Sequence, residues 1–282
     1  MKLLRLIGVL TPLLAAQAAW ATFVTFESAA ASAVGITPTR DAFRSAVGGG
    51  TAAGANGSFG GLRREINWDG VPDGSADPNS LSANFFNSNS PRGVVFSTPG
   101  FGFLVSANAG LATPTLFGFG NDFQAFSAQR LFTAVGSNIT DVRFFLPGTS
   151  TAATTSAFGV VFVDVEVAGD TRMEFFDSSD LLIFSRDAFV AGNQGLSFLG
   201  AVASGGERIS RVRLTSGRNS IIANGTLADP TSDVVVMDDF LYAEPLRNAV
   251  PEPSGLALVA LGLFGCLAAM RCRRTSPIRI NR

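Results

Sequence analysis

Residues 161–167 read Val-Phe-Val-Asp-Val-Glu-Val, and this stretch decides the fold class. Valine occupies every second position, while Phe162, Asp164 and Glu166 occupy the positions between. A period of two is typical of a strand with one face toward the core and the other toward water. A second alternation, Arg-Val-Arg-Leu, lies at residues 211–214. Both segments predict antiparallel β-strands.

Further apolar runs extend this pattern in both directions along the chain. Clusters of Gly, Pro, Asn, Asp and Ser, which favour turns, separate these runs. The chain contains 25 phenylalanines but one tyrosine and two tryptophans, a composition that suits a thick core between two sheets. The sequence therefore predicts an all-β domain at residues 22–248, an antiparallel β-sandwich or jelly roll. The other predicted strands lie at residues 23–26, 94–96, 101–105, 142–146, 173–176, 181–184 and 234–242.

One helix is predicted at residues 38–47. Thr37 would cap this helix, Pro38 suits its first turn, and Gly48 would end it. We expect the helix to cover one end of the sandwich.

Residues 48–61, which follow the helix, are nearly all small or polar. Phe59 is their single large apolar side chain, so we predict a flexible surface loop anchored there. The alternative is a hinge between two domains, but too little chain precedes the loop for an independent core.

The amino terminus, residues 1–21, has the three parts of a secretory signal peptide. Lys2 and Arg5 precede an apolar run at residues 6–16, and Ala-Trp-Ala at 19–21 supplies small residues for cleavage. We predict that signal peptidase cleaves after Ala21, with Ala18 as the alternative. A retained membrane helix is disfavoured because the run is shorter than the roughly 20 residues that a bilayer needs.

The carboxyl terminus predicts a membrane anchor. Residues 254–270 carry no charge, and an arginine cluster follows at residues 271–274. The predicted spanning helix, 254–270, is near the short limit for a bilayer. Because positive residues stay on the cytoplasmic side, the chain before it would lie outside, and residues 275–282 would form a basic cytoplasmic tail. A buried core helix is disfavoured, since such helices are rarely apolar on every face.

The carboxyl terminus also resembles a known sorting signal. Val-Pro-Glu-Pro at 250–253, glycines at 255, 262 and 265, and the arginine cluster together resemble the PEP-CTERM motif over residues 249–274. The resemblance implies sorting residues at Pro251, Glu252, Pro253, Arg271, Arg273 and Arg274. Residues 275–282 depart from the pattern, because such tails usually stop at the arginines.

The resemblance to the PEP-CTERM motif also implies where the protein is located. It implies export in a Gram-negative bacterium that also makes exopolysaccharide, anchoring in the inner membrane, and processing by an exosortase. An exosortase is a membrane-embedded, transpeptidase-like enzyme that acts near the Pro-Glu-Pro. The mature protein would then lie at the cell surface or in the extracellular matrix.

Charge excludes nucleic acid as a partner of the exported part. Residues 22–250 hold 14 arginines, no lysine and 21 aspartates or glutamates, a formal net charge of −7. A nucleic-acid-binding protein needs a basic surface to neutralise phosphates.

Cysteine and histidine usage excludes further chemistry. Cys266 and Cys272 lie in or beside the predicted anchor, so the exported domain has neither a disulfide framework nor a thiol nucleophile. The chain has no histidine, which removes imidazole-based zinc sites and Ser-His-Asp catalysis. Mechanisms that use carboxylate pairs remain open.

Two groups of acids are candidate calcium ligands, because calcium binds oxygen atoms in shells of about six to eight. The first group is Asp69, Asp73 and Asp77, in a loop rich in Gly and Pro. These residues lack the spacing of an EF-hand, and the alternative is that each serves a turn.

The second group joins Glu27, on the first strand, to Asp238 or Asp239 on the last, since terminal strands often neighbour each other in jelly rolls. Strand alternation allows one of the two aspartates to point inward. A buried carboxylate there needs a cation or hydrogen-bond donors, so either calcium or a salt bridge to an arginine is predicted.

A second resemblance lies within the domain. The segments 64–73 (Arg-Glu-Ile-Asn-Trp-Asp-Gly-Val-Pro-Asp), 84–87, 90–93 and 238–245 resemble a recurrent, uncharacterised type of PEP-CTERM ectodomain. The resemblance implies a β-sandwich like those of carbohydrate-binding modules. It transfers no catalytic residue.

Three functions remain open. We favour a non-enzymatic surface or matrix protein that binds exopolysaccharide or another envelope component. The alternative is a secreted glycan-active enzyme with two carboxylates roughly 5 to 10 Å apart, one with a raised pKa. The third is an ice-binding or adhesive surface, since such tails are sometimes named after ice-binding proteins. Thr151, Thr154 and Thr155 do not repeat at strand spacing, which disfavours it.

Overall fold

A computed structural model of the chain describes residues 22–222 and 225–247. This part is mostly β and forms two sheets, as the sequence predicted. No helix in these ranges is long and apolar enough to cross a membrane. The predicted signal peptide, spanning helix 254–270, sorting motif and basic tail lie outside the described residues.

The elements are short and joined by turns. The helices are α1 (Ala33–Val47) and the single turn α2 (Phe85–Ser88), with 3₁₀ turns at Ala55–Gly57, Asp73–Ser75 and Leu116–Gly118. The strands are β1 (Phe23–Ala30), β2 (Ser58–Phe59), β3 (Arg63–Ile66), β4 (Val94–Ser97), β5 (Gly102–Val105), β6 (Phe132–Val135), β7 (Ile139–Phe144), β8 (Ala157–Val163), β9 (Arg172–Phe176), β10 (Leu182–Asp187), β11 (Leu196–Ala203), β12 (Arg211–Thr215), β13 (Ile221–Ile222), β14 (Thr226–Leu227) and β15 (Val236–Ala243).

The larger sheet has ten strands and the smaller has five. The larger sheet follows the order β1-β11-β8-β15-β6-β13-β14, with β3 also paired to β15 and β5 to β6. The smaller sheet follows the order β10-β9-β12-β7-β4. The pairings are antiparallel except for the short contact between β6 and β13.

The main core lies between the two sheets and is built from aromatic rings. Phe144 of β7 packs against Phe158 and Tyr242 of the larger sheet, with ring centroids 6.3 and 5.7 Å away. Trp68 stacks on Phe132 at 4.0 Å. This packing confirms the expected role of most phenylalanines in the core.

A second core covers the opposite face of the larger sheet. Phe43 of α1 lies on the backbone of two neighbouring strands, so close that a Cβ atom added to Gly200 would lie 2.7 Å from its ring. As a result β8 is buried on both faces along its whole length. The prediction that one face of residues 161–167 meets water is therefore wrong for Phe162 and Asp164, which are buried, while Glu166, beyond the end of β8 at Val163, is exposed.

The helix starts five residues earlier than predicted, at Ala33 instead of Pro38. Thr37 is not a cap; its hydroxyl donates a hydrogen bond to the Ala33 carbonyl at 2.7 Å. The reason is tertiary packing, since Ile36 is fully buried against the sheet and draws the first turn into the helix. Gly48 ends the helix as predicted, with φ of 92°.

Residues 48–61 contain some regular structure, namely the Ala55–Gly57 turn and β2, which pairs with β3. Phe59 is buried, as expected of the residue that anchors this segment. The flexibility of the segment stays a prediction.

Candidate functional site

A cleft of about 500 Å³ opens on the outer face of the larger sheet. It lies where α1, β3, β15 and the segment before β2 meet. Most of the residues that line it carry polar side chains, among them guanidinium, carboxylate and amide groups. The polar side chains that line it are Arg40, Arg44, Asn56, Glu65, Asn67, Arg92, Ser127 and Asp239.

A β-bulge in β15 forms the floor of the cleft. Met237 pairs with Phe162 of β8, and Phe240 pairs with Val160. The two pairs are three residues apart on β15 but two residues apart on β8, so β15 contains one extra residue. Asp238 and Asp239 occupy the bulge and are 0% and 4% exposed. The expectation that one of them alone can be buried is wrong, because strict alternation stops at a bulge.

Asp238 is held by hydrogen-bond donors. Its carboxyl accepts the N–H groups of Phe126 at 2.6 Å and Ser127 at 3.2 Å, and the Ser127 hydroxyl at 3.1 Å. Burial, reinforced by the charge of Asp239, raises the pKa of Asp238 well above its usual range.

Asp239 faces a cation and its neighbouring acid. One carboxyl oxygen lies 3.9 Å from the Arg40 guanidinium. The other is buried and finds no donor while both aspartates are ionised. Burial raises the pKa of Asp239 to about 6, although hydrogen bonding to Ser127 and Asp238 and the charge of Arg40 favour the ionised form.

The wall above the pair is fixed by an ion-pair network centred on Glu65. Arg44 binds both oxygens of Glu65, at 2.8 and 2.5 Å, and Arg63 binds one at 2.6 Å. Burial lowers the pKa of Arg44, but hydrogen bonding and the charge of Glu65 outweigh it, and the net shift is upward. Arg63 also donates to the carbonyls of Gly48 and Gly50, which ties the segment after α1 to the cleft.

Arg92 differs from the other arginines of the cleft because it forms no ion pair with an acid among the described residues. Its guanidinium donates to the Glu65 carbonyl and to the Ser90 hydroxyl and lies 5.1 Å from the Phe86 ring centroid. Burial lowers the pKa of Arg92. Its charge is therefore left for an outside partner.

Asp69 and Asp73, from the first predicted calcium group, contact an arginine. Arg130 is fully buried, and its guanidinium donates to Asp73 at 2.5 Å while its backbone N–H donates to Asp69 at 3.1 Å. Asp77 does not join them, and lines another pocket.

The second predicted group is separated by the sheet order. Glu27 lies on β1, and β11 and β8 stand between β1 and β15, so the expectation that the first and last strands are neighbours is wrong. Glu27 instead forms a two-bond ion pair with Arg186, at 2.6 and 2.8 Å. In residues 22–222 and 225–247 no three acids form a group that could hold a metal ion. Calcium binding stays a prediction.

Sequence reasoning missed most of the cleft. Arg40 and Arg44 are four residues apart on α1, a spacing that puts both on one helix face and could have been noticed. Glu65, Asn67 and Arg92 lie in the segments that resemble a PEP-CTERM ectodomain, which gave no role for them. Ser127 carries no local signal, because its contact with Asp238 spans 111 residues.

Comparison with known protein families finds a match over residues 249–274. The family is described as the PEP-CTERM protein-sorting motif. The chain carries a PEP-CTERM sorting motif. This confirms the recognition predicted from Pro251, Glu252 and Pro253, and it indicates export and exosortase-directed sorting to the cell surface. No curated protein matches the chain.

Proposed function

We propose that the domain of this PEP-CTERM protein is a non-catalytic module that binds polysaccharide of the Gram-negative envelope or matrix in the cleft beneath α1. The sorting motif supports the location, because an exosortase substrate is delivered to the surface where such polymers lie. The two-sheet fold supports the likeness to carbohydrate-binding modules. The cleft itself is the observation that carries the proposal.

The chemistry of the wall suits a polymer of hydroxylated rings. Guanidinium and amide groups donate hydrogen bonds, and carboxylates accept them from hydroxyls. Because Glu65 is held by Arg44 and Arg63, its oxygens and the arginines keep one geometry before ligand arrives. A wall that is already ordered loses little entropy on binding.

The charge of the cleft favours an acidic saccharide. Arg40 and Arg44 are compensated by nearby acids, whereas Arg92 has no acidic partner in the described ranges. A uronate or pyruvyl group supplies the carboxylate that a guanidinium binds best. We therefore propose an acidic exopolysaccharide as ligand.

The test compares Asn67→Ala with Asn121→Ala in the full chain, purified in detergent. Both asparagines are exposed, but Asn67 lines the cleft and Asn121 does not. Binding is measured by affinity electrophoresis in gels that contain acidic exopolysaccharide from the producing bacterium. We expect N67A to weaken binding about three- to tenfold, the loss of one hydrogen bond, and N121A to bind like the wild type.

A second variant of the cleft, Asp239→Asn, removes the charge of the buried pair at nearly constant shape. Because the proposed ligand is acidic, D239N is expected to strengthen binding, since it removes a repelling carboxylate and frees Arg40 for the polymer. Failure of the wild type to bind the polymer, or normal binding by both N67A and D239N, would sink the proposal.

One observation favours glycan hydrolysis as a second candidate. Glu65 and Asp239 line the same cleft, and the pKa of Asp239 is raised to about 6, as a general acid requires. Against this, both Glu65 oxygens are engaged by arginines. We expect no new reducing ends when the wild type is incubated with the polysaccharide. Release that D239N abolishes would instead establish an enzyme.

An ice-binding face receives no support from the threonines considered for it. Thr154 and Thr155 are buried, so they cannot belong to a flat exposed array.

A further inference from the structure

A second pocket, of about 230 Å³, lies beside the paired strands β5 and β6. It shares no lining residue with the cleft. Most of the side chains that line it are apolar, and one carboxylate and one hydroxyl lie among them. The residues that line it include Asp77, Pro78, Ser80, Phe101, Val135 and Ile222.

Asp77 is a buried acid without a protein partner for its carboxylate. The residue is 4% exposed, and its backbone N–H donates to the Val105 carbonyl at 2.8 Å. No described residue donates a hydrogen bond to its carboxylate or forms an ion pair with it. Burial raises the pKa of Asp77. Asp77 lines the pocket, so a hydroxyl of a ligand in the pocket can donate a hydrogen bond to its carboxylate.

Phe101 presents its aromatic ring to solvent. The side chain is 85% exposed, whereas most phenylalanines of the domain are buried. Its ring rests on Gly136, where an added Cβ would lie 2.5 Å from two ring carbons. Its backbone N–H donates to the Val135 carbonyl at 2.8 Å. One edge of the ring thus lies against the backbone of Gly136, and most of the ring is exposed and can stack on a ligand.

We propose that Asp77 and Phe101 form a second saccharide site, which takes a neutral sugar ring. The C–H face of the ring stacks on Phe101, and one hydroxyl donates a hydrogen bond to the Asp77 carboxylate. Ser80, an exposed hydroxyl on the same wall, contacts a neighbouring hydroxyl of the sugar. A ring with an apolar face and a polar rim satisfies the exposed aromatic and the buried acceptor together.

Charge decides which kind of sugar this site takes. No arginine lines the pocket, and its one charged group is an acid. An acidic sugar would meet that acid without a compensating cation, so a neutral ring is favoured. This site does not rest on the cleft, where arginines favour an acidic polymer. A chain with both sites bridges two kinds of saccharide unit, and avidity follows when one polymer carries both.

The experiment is calorimetric titration of the full chain in detergent with neutral β-linked hexaoses, namely cellohexaose, laminarihexaose and xylohexaose. Phe101→Ala and Asp77→Asn are each expected to lower the affinity for the bound hexaose about tenfold, as loss of a stacked ring or of a charge-assisted hydrogen bond does. Phe189→Ala is the matched control, because Phe189 is 49% exposed and lines neither pocket. It is expected to bind like the wild type.

The variants also separate this site from the cleft. N67A is expected to bind the neutral hexaose normally and the acidic polymer weakly. F101A is expected to bind the neutral hexaose weakly and the acidic polymer normally. Melting curves identify any variant that fails to fold, and F101A removes an exposed ring and so keeps the fold. If none of the three hexaoses binds, or if F101A binds them as the wild type does, the proposal of a second site is overturned. This holds whether or not the cleft binds the acidic polymer.

Discussion

At the scale of single residues, buried acids set the balance between stability and function. Asp164 follows β8 with a left-handed backbone, φ of 74°, and is 3% exposed. Its carboxyl accepts the N–H of Gln194 at 2.7 Å. Burial raises the pKa of Asp164 to about 7, more than the Gln194 hydrogen bond lowers it, and the charges of Asp233 and Glu166 add to the rise.

We predict that Asp164→Asn stabilises the domain at high pH. Because the folded-state pKa of Asp164 lies above the unfolded value, its stabilising effect is complete below about pH 4 and is lost as pH rises through about 7. Asparagine keeps the acceptor, stays neutral and tolerates a positive φ. Urea unfolding at pH 8 is expected to show a gain of about 1–2 kcal/mol over the wild type.

The same variant at pH 4 is the control, since Asp164 is then protonated in the folded state and about half protonated in the unfolded state, and the two proteins are expected to unfold nearly alike. A variant that is no more stable than the wild type at pH 8 would contradict a raised pKa at this position.

Residue-scale prediction from sequence succeeded where the chemistry was local. The need of a buried acid at 238–239 for donors or a cation followed from its apolar neighbours, and Asp238 does have three donors. The identity of those donors did not follow, because Phe126 and Ser127 are brought there by the fold. The contact of Arg130 with two of the acids proposed for calcium also did not follow from the sequence, because the fold brings these residues together.

At the scale of elements, the bulge in β15 determines both the core and the cleft. Before it, Met237 points into the main core; after it, Phe240 and Tyr242 do so. Met237 and Phe240 are three positions apart, and a regular strand would place them on opposite faces. The extra residue thus lets Asp239 line the cleft while Met237, Phe240 and Tyr242 all point into the main core.

We predict that deleting Asp238 prevents folding. The deletion restores strict alternation and turns Phe240 and Tyr242 away from the main core, a change of face along the rest of the strand. Deleting Ala52, in the exposed segment after α1, is the matched control. Circular dichroism is expected to show a cooperative thermal transition for the Ala52 deletion and none for the Asp238 deletion. A folded protein without Asp238 would mean that the bulge is dispensable.

Elements were predictable where one face meets solvent or where a short apolar run is bounded by turns. β4, β7, β9 and β12 were found in this way. β11 was missed because both its faces are covered for most of its length and Gly200 interrupts its apolar pattern. The start of α1 was misplaced because burial of Ile36 outweighs the preference of Pro38 for a first turn.

At the scale of the whole molecule, location and binding are encoded in different ways. The sorting motif is contiguous, so its recognition needs no fold and succeeded from sequence alone. The cleft joins residues from Arg40 to Asp239, and the fold alone makes them neighbours. Such a site is read from a sequence only after the strand order is known, and the expected order of the first and last strands was wrong.

The processed ends of the chain test the sorting function as a whole. Signal peptidase and exosortase act on opposite ends, so the intact mass of protein recovered from its native envelope reports both cleavages at once. We expect a chain that begins at Thr22 and ends near Pro251, and we expect the carboxy-terminal tail to persist in cells that lack the exosortase. Replacing Pro251 and Pro253 by alanine is expected to retain the tail, while Pro230→Ala, an exposed proline outside the motif, is processed normally. Wild-type protein that extends through Arg282 in exosortase-containing cells would show a simple membrane anchor and would refute processing at the motif.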